Sequence, residues 1–182
     1  MDKHVLFIQG AGDVGYQGDL ELVASLRIAL GTDYKVHYPE MPTDEVPFFG
    51  AGWPKQIGEE ISFVKGEVIL AGHSLGASML LKFLTENPVP KNIQGVFLLA
   101  TPFWSGTEDW KQCLKLNKKF EENLPTDIPI FLYHAKDDEE VPFSHFNRYK
   151  KKIPKAIFRE SKTGGHQFNN HLSLIIDDIL SL

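Results

Sequence analysis

Cysteine is nearly absent: Cys113 stands alone among 182 residues. One thiol cannot close an internal disulfide or build an all-cysteine metal site, so a disulfide-stapled scaffold is excluded. Long apolar runs are missing too. The start, Met1-Asp2-Lys3-His4, leads directly into Val5-Leu6-Phe7-Ile8, too short a run for the apolar part of a signal peptide. No stretch approaches the ~20 apolar residues that a membrane span needs. There is no excess of positive charge either. Lys and Arg number 19 against 24 Asp and Glu, a net charge of -5, so no general attraction to nucleic acid or anionic membrane is expected. No linker-like stretch and no internal repeat interrupts the chain. What remains is ordinary for a folded protein: 42% hydrophobic and 24% charged residues. At this length, folding should bury close to ~70% of the unfolded chain's surface. The expectation is a soluble, cytoplasmic, single-domain protein whose chemistry lies in local motifs.

Short apolar runs alternate with amphipathic ones. Residues 4–9, 34–37, 67–71, 95–99, 130–134 and 156–160 read as strands, and the first and third are apolar almost throughout. That is the pattern of parallel strands covered on both faces. Residues 20–30, 53–64, 75–85, 109–123, 143–152 and 170–182 read as helices. Strict β-α alternation implies a mostly parallel sheet of about six strands in a three-layer α/β/α sandwich, joined by right-handed crossovers. In open sheets of this kind the ligand sits at the carboxyl ends of the strands.

The strand over 67–71 runs into Gly72-His73-Ser74-Leu75-Gly76 and then into a helix. G-x-S-x-G between strand and helix demands a very sharp turn that projects the serine hydroxyl, with glycines where side chains would clash. The competing explanation is that Ser74 merely caps the helix. A serine hydroxyl needs a base, and the motif's order is Ser, then Asp or Glu, then His. Among seven histidines, His166 lies in Thr163-Gly164-Gly165-His166, between the last strand and the last helix, at the same sheet edge as Ser74. His171 is expected within that helix, His145 on a surface helix, and His73 as a neighbour lining the site. The acid should follow the strand over 130–134, where Asp137-Asp138-Glu139-Glu140 precede Val141-Pro142. Spacing alone leaves Asp137 and Asp138 open. After the first strand, Gln9-Gly10-Ala11-Gly12 can aim backbone N–H groups at a developing oxyanion, with the N–H of Leu75 as partner. The rival there is a phosphate loop, since Gly10-Ala11-Gly12-Asp13-Val14-Gly15 matches G-x-G-x-x-G. The second strand ends in His-Tyr-Pro and offers no acid for a ribose.

These residues resemble the smallest α/β-hydrolases, of the retinoblastoma-binding serine hydrolase type and its bacterial relatives. The resemblance spans nearly the whole chain and is most specific at residues 72–76, 133–142 and 165–170. Tyr38-Pro39-Glu40-Met41-Pro42 followed by Trp53 is similar to a Met-Pro and Trp segment of that family. It implies one α/β-hydrolase domain over residues 1–182, without a large lid. Residues 101–129 are left as a short cap segment. It implies Ser74 as nucleophile, His166 as base, and Asp138 as acid, three residues before Val141-Pro142. It implies the N–H groups of Ala11 and Leu75 as oxyanion donors, and neither metal nor cofactor. Gln9 stands where many hydrolases have histidine. No Leu-x-Cys-x-Glu motif is present, so binding to retinoblastoma protein does not carry over.

The expected activity is hydrolysis of a small carboxylic ester through an acyl-enzyme. The alternative is a weakly active or non-catalytic binding protein on the same fold. Phe103 and Trp104 either wall an acyl pocket, together with His73, or simply pack against the core. Phe48, Phe49 and Trp53 form a second aromatic group. Tyr149-Lys150-Lys151-Lys152 reads as a helix end whose lysines complement the dipole rather than as a phosphate site. Nothing in the sequence sets the oligomeric state, and a monomer suffices for this chemistry.

Overall fold

Along each central strand, successive side chains enter opposite layers, and both layers are apolar. The computed structural model describes residues 3–12, 15–43 and 50–182. Within them six parallel strands form one sheet: β1 Lys3–Ile8, β2 Tyr34–His37, β3 Glu67–His73, β4 Ile93–Leu99, β5 Ile130–Ala135 and β6 Ile157–Ser161. Their spatial order is β2-β1-β3-β4-β5-β6. Seven helices accompany them: α1 Gly15–Gly18, α2 Leu20–Leu30, α3 Trp53–Phe63, α4 Leu75–Glu86, α5 Asp109–Gln112, α6 Ser144–Lys152 and α7 Ser173–Leu180. None is long and apolar enough to cross a membrane.

Leu6 and Ile8 of β1, Leu70 of β3, Leu98 of β4 and Leu132 of β5 point to one layer. There they meet Trp53 and Ile57 of α3, Leu80 and Phe83 of α4, and Phe146 and Tyr149 of α6. The alternating residues Val5, Phe7, Ala71, Phe97 and Tyr133 point to the other layer, against Leu22 and Leu26 of α2 and Ile175 and Ile179 of α7. This period-two division between two helical layers makes the three-layer sandwich. β2 lies on one side of β1 and β3 on the other, so the chain reverses direction across the sheet between β1 and β3. The reversal opens a crevice at their carboxyl ends.

Two expectations change. The helix over 109–123 is confined to Asp109–Gln112, and a separate 3-10 turn covers Phe120–Asn123. Leu114 and Phe120 are both buried in the same layer. On one continuous helix, six residues apart, they would face directions about 120° apart. Lys119, at φ 77, turns the chain so that both reach the core. The last helix begins at Ser173, so His171 precedes it rather than lying inside it. Trp53 opens α3, buried, with its indole N–H donated to the Pro42 carbonyl at 2.9 Å. Phe48 and Phe49 fall outside the described residues.

Candidate active site

Ser74 joins β3 to α4 with φ 51 and ψ -119, a region that side-chain-bearing residues rarely adopt. Its N–H is held by the Leu99 carbonyl at 2.9 Å, which docks the turn on β4. The glycines around it have a steric cause. A Cβ on Gly72 would come within 2.8 Å of Leu80 Cδ1 and 2.9 Å of the Ala77 nitrogen. A Cβ on Gly76 would overlap the carbonyl oxygens of Ile8 and Gln9. Ser74 makes no side-chain cap bond, so helix capping does not account for it. Leu75 opens α4, and first-turn N–H groups have no intrahelical acceptor.

The four carboxylates after β5 divide their labour. Asp138 is buried beside His166, with His166 Nδ1 3.0 Å from both carboxylate oxygens. Its Oδ1 also accepts the N–H groups of Glu140 at 2.9 Å and Val141 at 2.8 Å. Burial alone would raise the Asp138 pKa. The His166 hydrogen bond, these two amides and the imidazole charge outweigh burial and hold it below the usual carboxylate range. Asp137 instead accepts the N–H groups of Gly164 and Gly165, at 3.2 and 3.0 Å, and Glu139 accepts that of His166 at 3.0 Å. Three acids thus hold one histidine loop, while Glu140 is exposed. With Nδ1–H turned to a carboxylate, Nε2 of His166 keeps a lone pair for proton abstraction.

Gly10 and Ala11 follow β1. The N–H of Gly10 is donated to Asp19 Oδ2 at 2.7 Å, so a carboxylate of this chain already occupies a donor that a phosphate loop would offer. Asp13 and Val14 of the G-x-G-x-x-G match lie outside the described residues. Gln9, in the place where histidine was the comparison, is buried, and its Oε1 accepts the Met41 N–H at 3.1 Å. Its task is to tether the Met-Pro segment.

His73, expected to line the pocket, is instead only 1% exposed and lies beneath the surface of the site. Its Nδ1 is 2.9 and 3.0 Å from the oxygens of Asp19, and its Nε2 donates to the His166 carbonyl at 3.0 Å. The His73 and His166 rings are 4.6 Å apart. Asp19 had no signal in a single sequence, because it is a polar residue just before a helix, where N-caps are common. Phe103 and Trp104 line a cavity of about 200 Å³ with Leu116, Phe120 and Tyr149. They also pack on the core: Phe103 lies edge-on to Phe120 and Tyr149, and the Trp104 indole N–H is donated to Ser78 Oγ at 3.0 Å. A cavity of about 490 Å³ lies at the opposite pole, between the residues that lead into β5 and β6, away from Ser74. His145 accepts the Phe103 N–H at 3.0 Å, which fixes the start of the aromatic segment. Two of the three lysines ending α6 pair with acids: Lys150 with Glu160 at 3.3 Å and Lys152 with Glu121 at 3.0 Å.

A family model described as serine hydrolase matches residues 32–171. Comparison with curated proteins finds no match. Among solved structures, a variant of the meta-cleavage product hydrolase CumD from Pseudomonas fluorescens IP01 is similar at TM-score 0.74 and 14% identity, covering 100% of this chain and 91% of that one. The ydeN gene product of B. subtilis is similar at TM-score 0.72 and 17% identity, covering 100% and 98%. Est1E from Butyrivibrio proteoclasticus is similar at TM-score 0.71 and 13% identity, covering 98% and 85%. At these identities the likeness is one of fold.

Proposed function

The chain belongs to the serine hydrolase family, with an α/β-hydrolase fold, and from that premise we propose that it hydrolyses small carboxylic esters through an acyl-enzyme on Ser74. The observation that carries this reading is the His166 ring held by buried Asp138, alongside a serine in a strained strand-to-helix turn. Ser74 Oγ attacks the ester carbonyl while His166 Nε2 takes its proton. Asp138 holds the ring and stabilises the imidazolium as it forms. The N–H groups of Ala11 and Leu75 receive the oxyanion, each contributing on the order of 3 kcal/mol of transition-state stabilisation. The alcohol departs with the proton from His166. Water, deprotonated by His166, then releases the acid and restores Ser74.

Ester size is argued from the segment between β4 and β5. Its described structure is a one-turn helix and a 3-10 turn, which supports an accessible site for short or exposed acyl groups rather than deeply enclosed lipid chains. A fluorophosphonate probe is expected to label the parent on Ser74, with Ser74→Ala losing both the label and p-nitrophenyl ester hydrolysis. Hydrolysis by Ser74→Ala at the parent rate would sink the proposal. An unlabelled parent that hydrolyses no member of an ester panel would point to a binding protein.

A further inference from the structure

The hydrolase reading assigns tasks to Ser74, His166 and Asp138, but leaves a second buried acid–histidine pair without one. Resting on that reading, we infer that Asp19 and His73 form an ionised strap that positions the oxyanion loop, the serine turn and the histidine loop relative to one another. Both side chains are almost completely inaccessible, at 2% and 1% exposure.

The hydrogen-bond inventory constrains the protons. Among the described residues His73 Nε2 faces only the His166 carbonyl, which cannot donate, so Nε2 carries hydrogen. Asp19 Oδ2 already accepts the Gly10 N–H at 2.7 Å. A carboxylate that accepts a short amide hydrogen bond is stabilised as the anion, and an anion at 2.9 Å requires hydrogen on His73 Nδ1 as well. The pair is therefore imidazolium and carboxylate. The charged and titratable groups facing His73 are Asp19, Asp138 and His166. Burial would push His73 down, but the charge and hydrogen bond of Asp19, the His166 carbonyl and the more distant Asp138 together raise its pKa.

The arms of this pair end on the machinery. One reaches the amide next to Ala11. One reaches the carbonyl of His166. The covalent neighbour of His73 is Ser74. A Cβ on Gly10 would stand 3.2 Å from His73 Nδ1 and 3.4 Å from Ser74 Cβ, so oxyanion loop, strap and nucleophile leave no room between them for an added methyl. Three segments distant in sequence thus share one charged fastening. Charge-assisted hydrogen bonds are roughly twice as strong as neutral ones. A misplacement of about 1 Å at a reacting group can cost on the order of 100-fold in rate.

Asp19 and His73 are accordingly positioning residues. Asp19→Ala should lower kcat by roughly 100-fold with KM within about threefold, and Asp19→Asn, which still accepts the Gly10 N–H, should recover at least tenfold of that. In the parent, ¹⁵N NMR should show His73 doubly protonated from pH 5.5 to 8, without titration near the ordinary value of about 6.5. The His166 Nδ1–H resonance should shift or broaden in Asp19→Ala. Three results overturn the inference: His73 titrating near 6.5, an unmoved His166 Nδ1–H resonance in Asp19→Ala, or parental kcat in that variant alongside a lowered Tm. Fluorophosphonate labelling of the parent is read separately. Its absence defeats the hydrolase reading, while the two NMR results still decide whether the strap exists and holds His166. If Asp19→Ala does not fold, Asp19→Asn and the parent's His73 spectrum carry the test.

Discussion

At the residue scale, neighbouring carboxylates with the same chemistry separate by what each one touches. Asp138 bonds the imidazole, whereas Asp137 bonds the amides of Gly164 and Gly165. In Asp138→Asn the amide oxygen would be kept toward the Glu140 and Val141 N–H groups, leaving the N–H₂ as a donor facing His166 Nδ1 and favouring the wrong tautomer for abstraction at Nε2. Loss of kcat on the order of 10⁴ is expected, as for the equivalent change in serine proteases. Asp137→Asn keeps one carbonyl oxygen for a loop amide and touches neither ring nor nucleophile, so kcat within about tenfold of the parent is expected. Steady-state kinetics on a p-nitrophenyl ester decides, and equal losses in the two variants would contradict the division. Sequence spacing could not make this distinction, because consecutive residues in a turn point in directions that only the fold determines. The turn after His166 is similar. Phe168, Asn169 and Asn170 all adopt positive φ, at 49°, 52° and 55°. Buried Phe168 and the Asn170 contact to Glu21 at 2.6 Å hold them there. Asparagine tolerates that region comparatively well, but three such residues in a row cannot be read from propensity.

At the element scale, the readable features were those set by periodicity and by steric necessity. Apolar strands bounded by glycine appear close to where period and length place them. β3 and β4 extend two residues beyond expectation, at the carboxyl and amino ends respectively, where the sheet continues into Gly72-His73 and Ile93-Gln94. The overlong helix over 109–123 shows the limit. Its scattered apolar residues fit a helical pattern loosely, and only tertiary burial of both Leu114 and Phe120 breaks it. The serine turn was legible because glycine is forced there, whereas the Asp19–His73 pair, 54 residues apart, leaves no local trace. Gly76 provides the element-scale test. It lets α4 lie directly against the end of β1, and an added methyl would overlap the carbonyls of Ile8, the last residue of β1, and of Gln9 just after it, which cannot move without disturbing the sheet edge. Gly76→Ala should therefore force the helix away from the crevice. Overpacking of this kind costs typically 1–3 kcal/mol. Ester turnover should fall much further than stability does, because the Leu75 N–H moves with the helix. A variant with parental turnover would show that the close approach is not needed.

At the scale of the whole molecule, the folded state is bracketed by two opposite sets of shifted groups. His134 and His145 are pushed down chiefly by burial, and so is His37. Unfolding frees these rings to bind protons, so their contribution to stability is lost as the pH falls below about 6.5, the unfolded value. Asp19 and Asp138 are held low by their histidine partners and amides against the effect of burial, and Asp178 is held low first by Arg159. Their contribution is complete above about 3.9 and is lost as the pH falls through their depressed folded values. His73 has the reverse sign. Its raised pKa stabilises fully below about 6.5, and that contribution is lost as the pH rises through the folded value. Together these signs give a stability maximum near pH 6.5, a gentle acid decline from the histidines, and a steeper one below pH 4 from the carboxylates. The alkaline side belongs to the strap. Thermal melts followed by circular dichroism from pH 3 to pH 9 should show all three limbs in the parent. In His73→Gln, whose Tm should be lower throughout, the decline on the alkaline side should flatten while the two acid limbs persist. A parent-like alkaline decline in that variant would mean that His73 is not the group losing its proton there.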